Sequence, residues 1–314
     1  MQQGYSPAGK ACRLVFALLV LAGLLRPASA EPQLLEERNS TYNNIYVYKD
    51  GSNVIMTFGH NRRFYTESIF DSTNELALPV TYTRFMTVGL AYTNTADNLL
   101  EIGFGGGRTA WYLHKHMPAL DITCVELDPA VVDLAKKHFG VRPEAKFKIT
   151  VSDGRSYLVK SPESWNIIMI DAYRGPFVPF HLLTEEFYRV VKSKLKPGGV
   201  VVQNVEPTTM MFDSAIATIQ KVFPNVEVFD AGGNIVAVAY DGPRRTQAEL
   251  TARADALQTE HKLLYPVGEF LPERRGVTRS RGKVLTDDFA PVESLLAIEK
   301  HNRKLEEFSE PLAK

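Results

Sequence analysis

The chain has 314 residues, 45% of them hydrophobic and 23% charged, with Lys plus Arg and Asp plus Glu balanced at 36 each. That size and composition suit a globular protein with a sizeable core and exclude a long disordered chain. The lack of a basic excess argues against a nucleic-acid surface, and the lack of an acidic excess against an acidic tail.

Residues 1–30 read as a secretory signal peptide. Lys10 and Arg13 precede the apolar run LVFALLVLAGLL at 14–25, and Ala28-Ser29-Ala30 offers small residues to a signal peptidase. Twelve helical residues rise about 18 Å, short of a ~30 Å hydrocarbon core. The reading is a periplasmic or secreted protein with no membrane contact after cleavage; an uncleaved, membrane-anchored form is the alternative. Cleavage removes Cys12 and leaves Cys124 alone, so the fold has no internal disulfide to rely on.

Residues 31–96 read as an N-terminal β-hairpin domain. Strands at 44–48 and 53–58 flank Lys49-Asp50-Gly51-Ser52, a hairpin turn signal. A third strand is expected at 63–69, and helical spacing at 79–92 leads into the next unit. From 97 to 245 short apolar strands (99–102, 121–125, 146–151, 167–171 and 200–204) alternate with helices (108–116, 130–138, 155–160 and 184–195). That alternation predicts a doubly wound parallel sheet. A helix at 214–223 and strands at 226–229 and 234–240 would bring the sheet to seven strands. Residues 246–314 read as a C-terminal helical extension, with a connecting loop at 284–291.

The chemistry-bearing residues fall at the carboxyl ends of these strands. LEIGFGGGRTAWYL, residues 100–113, runs from a strand through Gly103, Gly105, Gly106 and Gly107 into a helix. Glycines there let the backbone approach a ligand at the helix N-terminus, and on this motif alone NAD is a live competitor. Glu126 ends the second strand, where a carboxylate accepts hydrogen bonds from both ribose hydroxyls. Asp128-Pro129 reads as a helix N-cap with Pro at the first helical position. Asp153 ends the third strand and suits either an adenine amino group or a capped turn. Asp171 ends the fourth and faces the crevice where ligands of such sheets bind. Tyr173 and His181 follow it closely. His114 and His116 point to different helix faces, so no metal site is read.

Glycine loop, ribose acid, adenine acid and strand-four acid, in that order, resemble an S-adenosylmethionine-dependent enzyme more than a dehydrogenase. Residues 103–140, 171–188, 196–204 and LTDDFAPVE at 285–293 are similar to bacterial spermidine-synthase-like proteins, which often occur as the soluble half of fused transporter–synthase chains. Tyr42-Asn43-Asn44 before the first strand resembles the small N-terminal β domain of polyamine aminopropyltransferases.

The resemblance implies a Rossmann-like, seven-stranded S-adenosylmethionine-dependent methyltransferase-type core with a small N-terminal β domain. It implies decarboxylated S-adenosylmethionine, or S-adenosylmethionine, as co-substrate, with no metal. Gly103, Gly105, Gly107, Glu126, Asp153, Gly154 and Asn43 would bind the nucleoside, and Asp171 and Tyr173 would stand at the reacting centre. The family transfers an aminopropyl group to putrescine and leaves methylthioadenosine. The partner is thus a small-molecule amine or other acceptor, and a homodimer is allowed.

Two positions depart from the family pattern. GGGDGG carries an Asp that holds the aminopropyl amine, and the matching residue here is Gly106. DSSDP carries a second Asp that helps deprotonate the acceptor, and Arg174 falls near it. These departures imply poor use of putrescine. They keep open a methyltransferase and a non-catalytic exported nucleoside- or polyamine-binding protein. Asp287, Asp288 and Glu293 either fold over the site or cap a helix. The leader predicts a mature N-terminus at Glu31. N-terminal sequencing of the protein from its source checks this, and an intact Met1 overturns it.

Overall fold

The computed structural model describes residues 31–60, 63–175, 177–209, 211–277 and 280–288. The leader and Glu293 lie outside the described residues.

A four-stranded antiparallel sheet comes first, in the order β1 (Gln33–Asn39), β2 (Asn44–Asp50), β3 (Asn53–His60), β4 (Arg63–Asp71). The β2–β3 turn closes at Asp50↔Asn53, with Gly51 at φ +56°. The first strand was not expected, because QLLEERN carries little apolar alternation and is largely exposed. The alternate residues Ile45, Val47, Val54, Met56 and Phe58 form one buried face. They pack against Val131, Leu134 and Phe139 of the core. Period-two burial thus seats the small sheet on one helix of the larger unit.

The larger unit is an eight-stranded sheet in the order β12-β10-β11-β9-β8-β5-β6-β7. The strands β5 (Asn98–Ile102), β6 (Asp121–Glu126), β7 (Phe147–Val151), β8 (Trp165–Ile170) and β9 (Leu195–Val205) pair in parallel. All six residues of β8 are buried, as a strand covered on both faces requires. The strands β10 (Asn225–Asp230), β11 (Ile235–Tyr240) and β12 (Arg274–Gly276) complete one edge in antiparallel pairing. Chain order reverses between β5 and β8, and this switch point opens the crevice.

Several boundaries differ from those read in the sequence. The sheet has eight strands because β12 comes from the segment read as a C-terminal helical extension. That segment does contribute the helix Gln247–His261. The expected helix at 79–92 is two helices, α1 (Thr81–Met86) and α2 (Gly89–Tyr92), and both join the main core. The small domain therefore ends before them. At Gly89 a Cβ would lie 2.4 Å from Val202 Cγ2, so glycine is what lets α2 lie directly on β9. Lys196-Pro197-Gly198-Gly199 lies within β9, and the preceding helix stops at Ser193. The remaining helices at the crevice are α3 (Arg108–His116), α4 (Pro129–His138) and α5 (Gly154–Lys160).

Asp128 joins the two units. Its Oδ1 accepts from the Ala130 N–H at 2.9 Å and caps α4. Its Oδ2 accepts from Ser40 Oγ and from Asn43 Nδ2, both on the loop between β1 and β2. The side chain is fully buried. Asp128→Ala removes a cap and strands two half-buried donors, so we expect a loss of about 1–2 kcal/mol, read as a lower urea midpoint. An unchanged midpoint would show that apolar packing alone seats the small sheet.

Candidate functional site

The carboxyl ends of β5, β6, β7 and β8 converge on a cavity of about 410 Å³. Gly103, directly after β5, has φ +90° and donates its N–H to the Val125 carbonyl at 2.9 Å. A Cβ there would lie 2.2 Å from the Asp171 carbonyl oxygen, so only glycine lets the turns after β5 and β8 close against each other.

Glu126 lies under the glycine turn. Its Oε2 accepts N–H groups from Phe104 at 3.0 Å and Gly105 at 3.3 Å, and its Oε1 accepts from Asp128 N–H at 3.0 Å. Burial pushes this carboxyl above its ordinary range, and the three N–H groups oppose the rise. Asp153 caps α5 through Ser156 N–H at 2.8 Å, and its Oδ2 lies 2.8 Å from His181 Nε2. Burial alone would raise its pKa, but the Ser156 N–H and His181 hold it low. The capped-turn reading of Asp153 is thus real, and Asp153 and Gly154 also line the cavity.

Asp171 sits opposite Glu126. Its Oδ1 accepts from Asn204 Nδ2 at 2.9 Å and its Oδ2 from Tyr82 OH at 3.1 Å. Asn234 Nδ2 in turn donates to Asn204 Oδ1 at 3.0 Å. Burial raises the Asp171 pKa to about 6, against the pull of Asn204 and Tyr82. Tyr173 lines the cavity, but its hydroxyl donates to the Asn204 carbonyl at 3.0 Å. That arrangement makes Tyr173 a support for the Asp171 partner. Among the described residues no group of three or more His, Cys, Asp or Glu is arranged to hold a metal.

A spermine/spermidine synthase domain matches residues 81–231. A polyamine aminopropyltransferase of Vibrio vulnificus is 26% identical over 293 residues, 90% of this chain and 97% of its own. Another, of Chromobacterium violaceum, is 30% identical over 211 residues, covering 65% of this chain and 80% of its own. The chain belongs to the spermidine synthase family. A crystal structure of a probable spermidine synthase from Corynebacterium glutamicum shares the fold, with a TM-score of 0.64 at 21% identity over 82% of this chain and 97% of that one.

Most family positions read from the sequence meet at one place. Gly103, Gly105, Glu126, Asp153, Gly154, Asp171, Tyr173 and Asn43 all line the cavity. Gly107 instead opens α3, where a Cβ would lie 2.3 Å from the Phe104 ring. Asn43 spends its amide on Asp128. At Gly106 a Cβ would lie 2.4 Å from Ser68 Oγ and 2.7 Å from Phe139 Cδ1, so the family's Asp has no room there. Arg174 is exposed at the rim. Asp287 lies against Arg155, with Nη1–Oδ1 at 2.7 Å and Nη2–Oδ2 at 2.5 Å, and so ties the tail to the first turn of α5. It does not line the cavity.

Sequence reasoning missed Tyr82, Asn204, Glu67 and Glu101, all at the cavity or behind it. Asn204 left a sequence signal, as a polar residue near the carboxyl end of an apolar parallel strand, and Glu101 a weaker one, as an acid inside such a strand. The position of Glu126 makes a test direct. Glu126→Gln keeps an acceptor for the loop and removes the charge, so methylthioadenosine affinity should fall about tenfold, one charge-assisted hydrogen bond. Calorimetry reads it, and an unchanged affinity would refute the ribose assignment.

Proposed function

We propose that this protein transfers an aminopropyl group from decarboxylated S-adenosylmethionine to a small amine. The observation that carries the reading is one cavity that places a ribose-type acid, Glu126, across from a buried, hydrogen-bonded carboxylate, Asp171. In the reaction the acceptor nitrogen forms a C–N bond to the carbon beside the sulfonium. The C–S bond breaks, and its electron pair leaves on methylthioadenosine. The proton released by the acceptor nitrogen passes to Asp171. Tyr82 and Asn204 hold both Asp171 oxygens, which fixes the base in place.

The charge of the cavity favours this donor over S-adenosylmethionine itself. That charge comes from Glu126 and Asp171; Glu67 and Glu101 also line the cavity, but burial pushes their carboxyls well above the ordinary range. The carboxylate of S-adenosylmethionine would enter a space already held by acids, whereas the decarboxylated donor brings only positive groups, a sulfonium and a primary ammonium. The same charge favours an amine acceptor over an anionic one. Arg174 stands exposed at the rim, where water and salt weaken its repulsion of a diamine. Putrescine is therefore the first acceptor to test. Export after Ala30 forms part of the proposal, and it places the reaction where donor and acceptor must be supplied from outside the cytoplasm.

Incubation with decarboxylated S-adenosylmethionine and putrescine, with methylthioadenosine release as the readout, tests the reading. Asp171 is a base only when ionised. Its pKa of about 6 therefore predicts that kcat/KM falls as pH drops through that value. Asp171→Asn should remove this limb and lower kcat by about 10²–10⁴-fold, the usual worth of a general base. A profile flat through pH 6 in the active wild type would exclude Asp171 as the base. Tight nucleoside binding without turnover of any amine would favour the non-catalytic binding protein.

A further inference from the structure

Glu67 lies on β4, in the small N-terminal sheet, and reaches the same cavity as Glu126 and Asp171. Its Oε1 is buried and has no hydrogen-bond partner among the described residues. Such an oxygen is costly unless some donor reaches it. The groups that act on it electrostatically supply no cation. Asp171 and Glu126 face it from the ends of β8 and β6, and the phenols of Tyr82 and Tyr173 lie close by.

The two guanidinium groups on the cavity wall are placed elsewhere. Arg108 Nη1 donates to the Phe139 carbonyl at 2.7 Å, its Nη2 donates to the Glu75 carbonyl, and it stacks on Phe70. Arg174 is exposed at the rim. Burial, with Asp171 and Glu126 nearby, pushes the Glu67 carboxyl well above the ordinary range. Among the described residues no cation pairs with this acid.

The neighbour of Glu67 on β4 explains why an acid is needed from this direction. Ser68 fills the space that a side chain at Gly106 would occupy. The strand that blocks an acid at 106 therefore brings one of its own at the adjacent position. We propose that Glu67 binds a primary alkylammonium group of the ligand pair, either the aminopropyl end of the donor or the terminal amine of the acceptor. The proposal rests on the aminopropyl-transfer reading and adds to it the residue that recognises the cation. As the cation arrives, its charge lowers the Glu67 pKa and favours the carboxylate.

Calorimetry on the full chain with three probes tests this. Methylthioadenosine lacks the ammonium, decarboxylated S-adenosylmethionine carries it, and putrescine is titrated into the methylthioadenosine complex. Glu67→Gln should leave methylthioadenosine affinity within about twofold. It should weaken either decarboxylated S-adenosylmethionine or putrescine by about tenfold or more, the loss of one charge-assisted hydrogen bond. Loss with the donor assigns Glu67 to the aminopropyl end, and loss with putrescine assigns it to the acceptor. If Glu67→Gln does not fold, Glu67→Asp should show a loss of the same sign and smaller size. Equal losses for all three probes, or no loss for any, would overturn the proposal while leaving the function standing. A wild-type protein that binds no methylthioadenosine would overturn the function and this proposal together.

Discussion

The structure is organised around the burial of several carboxylates at one end of a parallel sheet. Isolated buried carboxylates are unstable in their charged form, so each must find donors, accept a raised pKa, or wait for a cation. Glu126 combines the first two, with three backbone N–H groups supplied by the turns after β5 and β6 opposing a pKa that burial still raises. Asp171 does the same, holding hydrogen bonds from Tyr82 and Asn204 while its pKa rises to about 6. Glu101, fully buried beside Cys124, takes the second, and burial and the charge of Asp171 hold its carboxyl well above the usual range. Helices α3 and α4 begin at the crevice, and the positive ends of their dipoles partly offset this charge.

The small sheet is not an appendage on that arrangement. It is seated by apolar packing on α4 and by the buried Asp128 cap, which accepts from Ser40 and Asn43. Once seated, its last strand forms one wall of the cavity through Glu67 and Ser68. The cap that starts a helix of the core and the contact that fixes the cavity wall are thus made by the same side chain. This economy explains why Asn43 lines the cavity and yet spends its amide on Asp128.

What was legible in the sequence follows from how local each signal is. The glycine turn, Glu126, Asp128, Asp153 and Asp171 sit at strand ends in an α/β alternation, and apolar runs of four to six residues locate those ends. The fold class and the nucleoside-facing half of the cavity could be read for that reason. Glu67 and Tyr82 could not, because neither lies at the end of a core strand and both reach the cavity only through tertiary docking. Glu101 sits inside an apolar strand and reads as an exception to the pattern without saying what it faces. The first strand of the small sheet was missed because its residues are charged and mostly exposed, and the last strand of the core because three residues carry no periodicity.

Gly106 shows how a family motif can mislead when it is read one position at a time. An absent acid suggests a lost amine site, and the natural remedy is to restore it. The packing argues otherwise, since Ser68 and Phe139 occupy the volume that any side chain at 106 would need. Restoring the acid would force apart β4 and the chain after α4, where the small sheet meets the core. Loss of the side chain at 106 and close approach of β4 are therefore one structural change. That approach is also what brings Glu67 within the field of Asp171 and Glu126. The charge requirement of the site and the steric requirement of the interface are met by adjacent residues of a single strand.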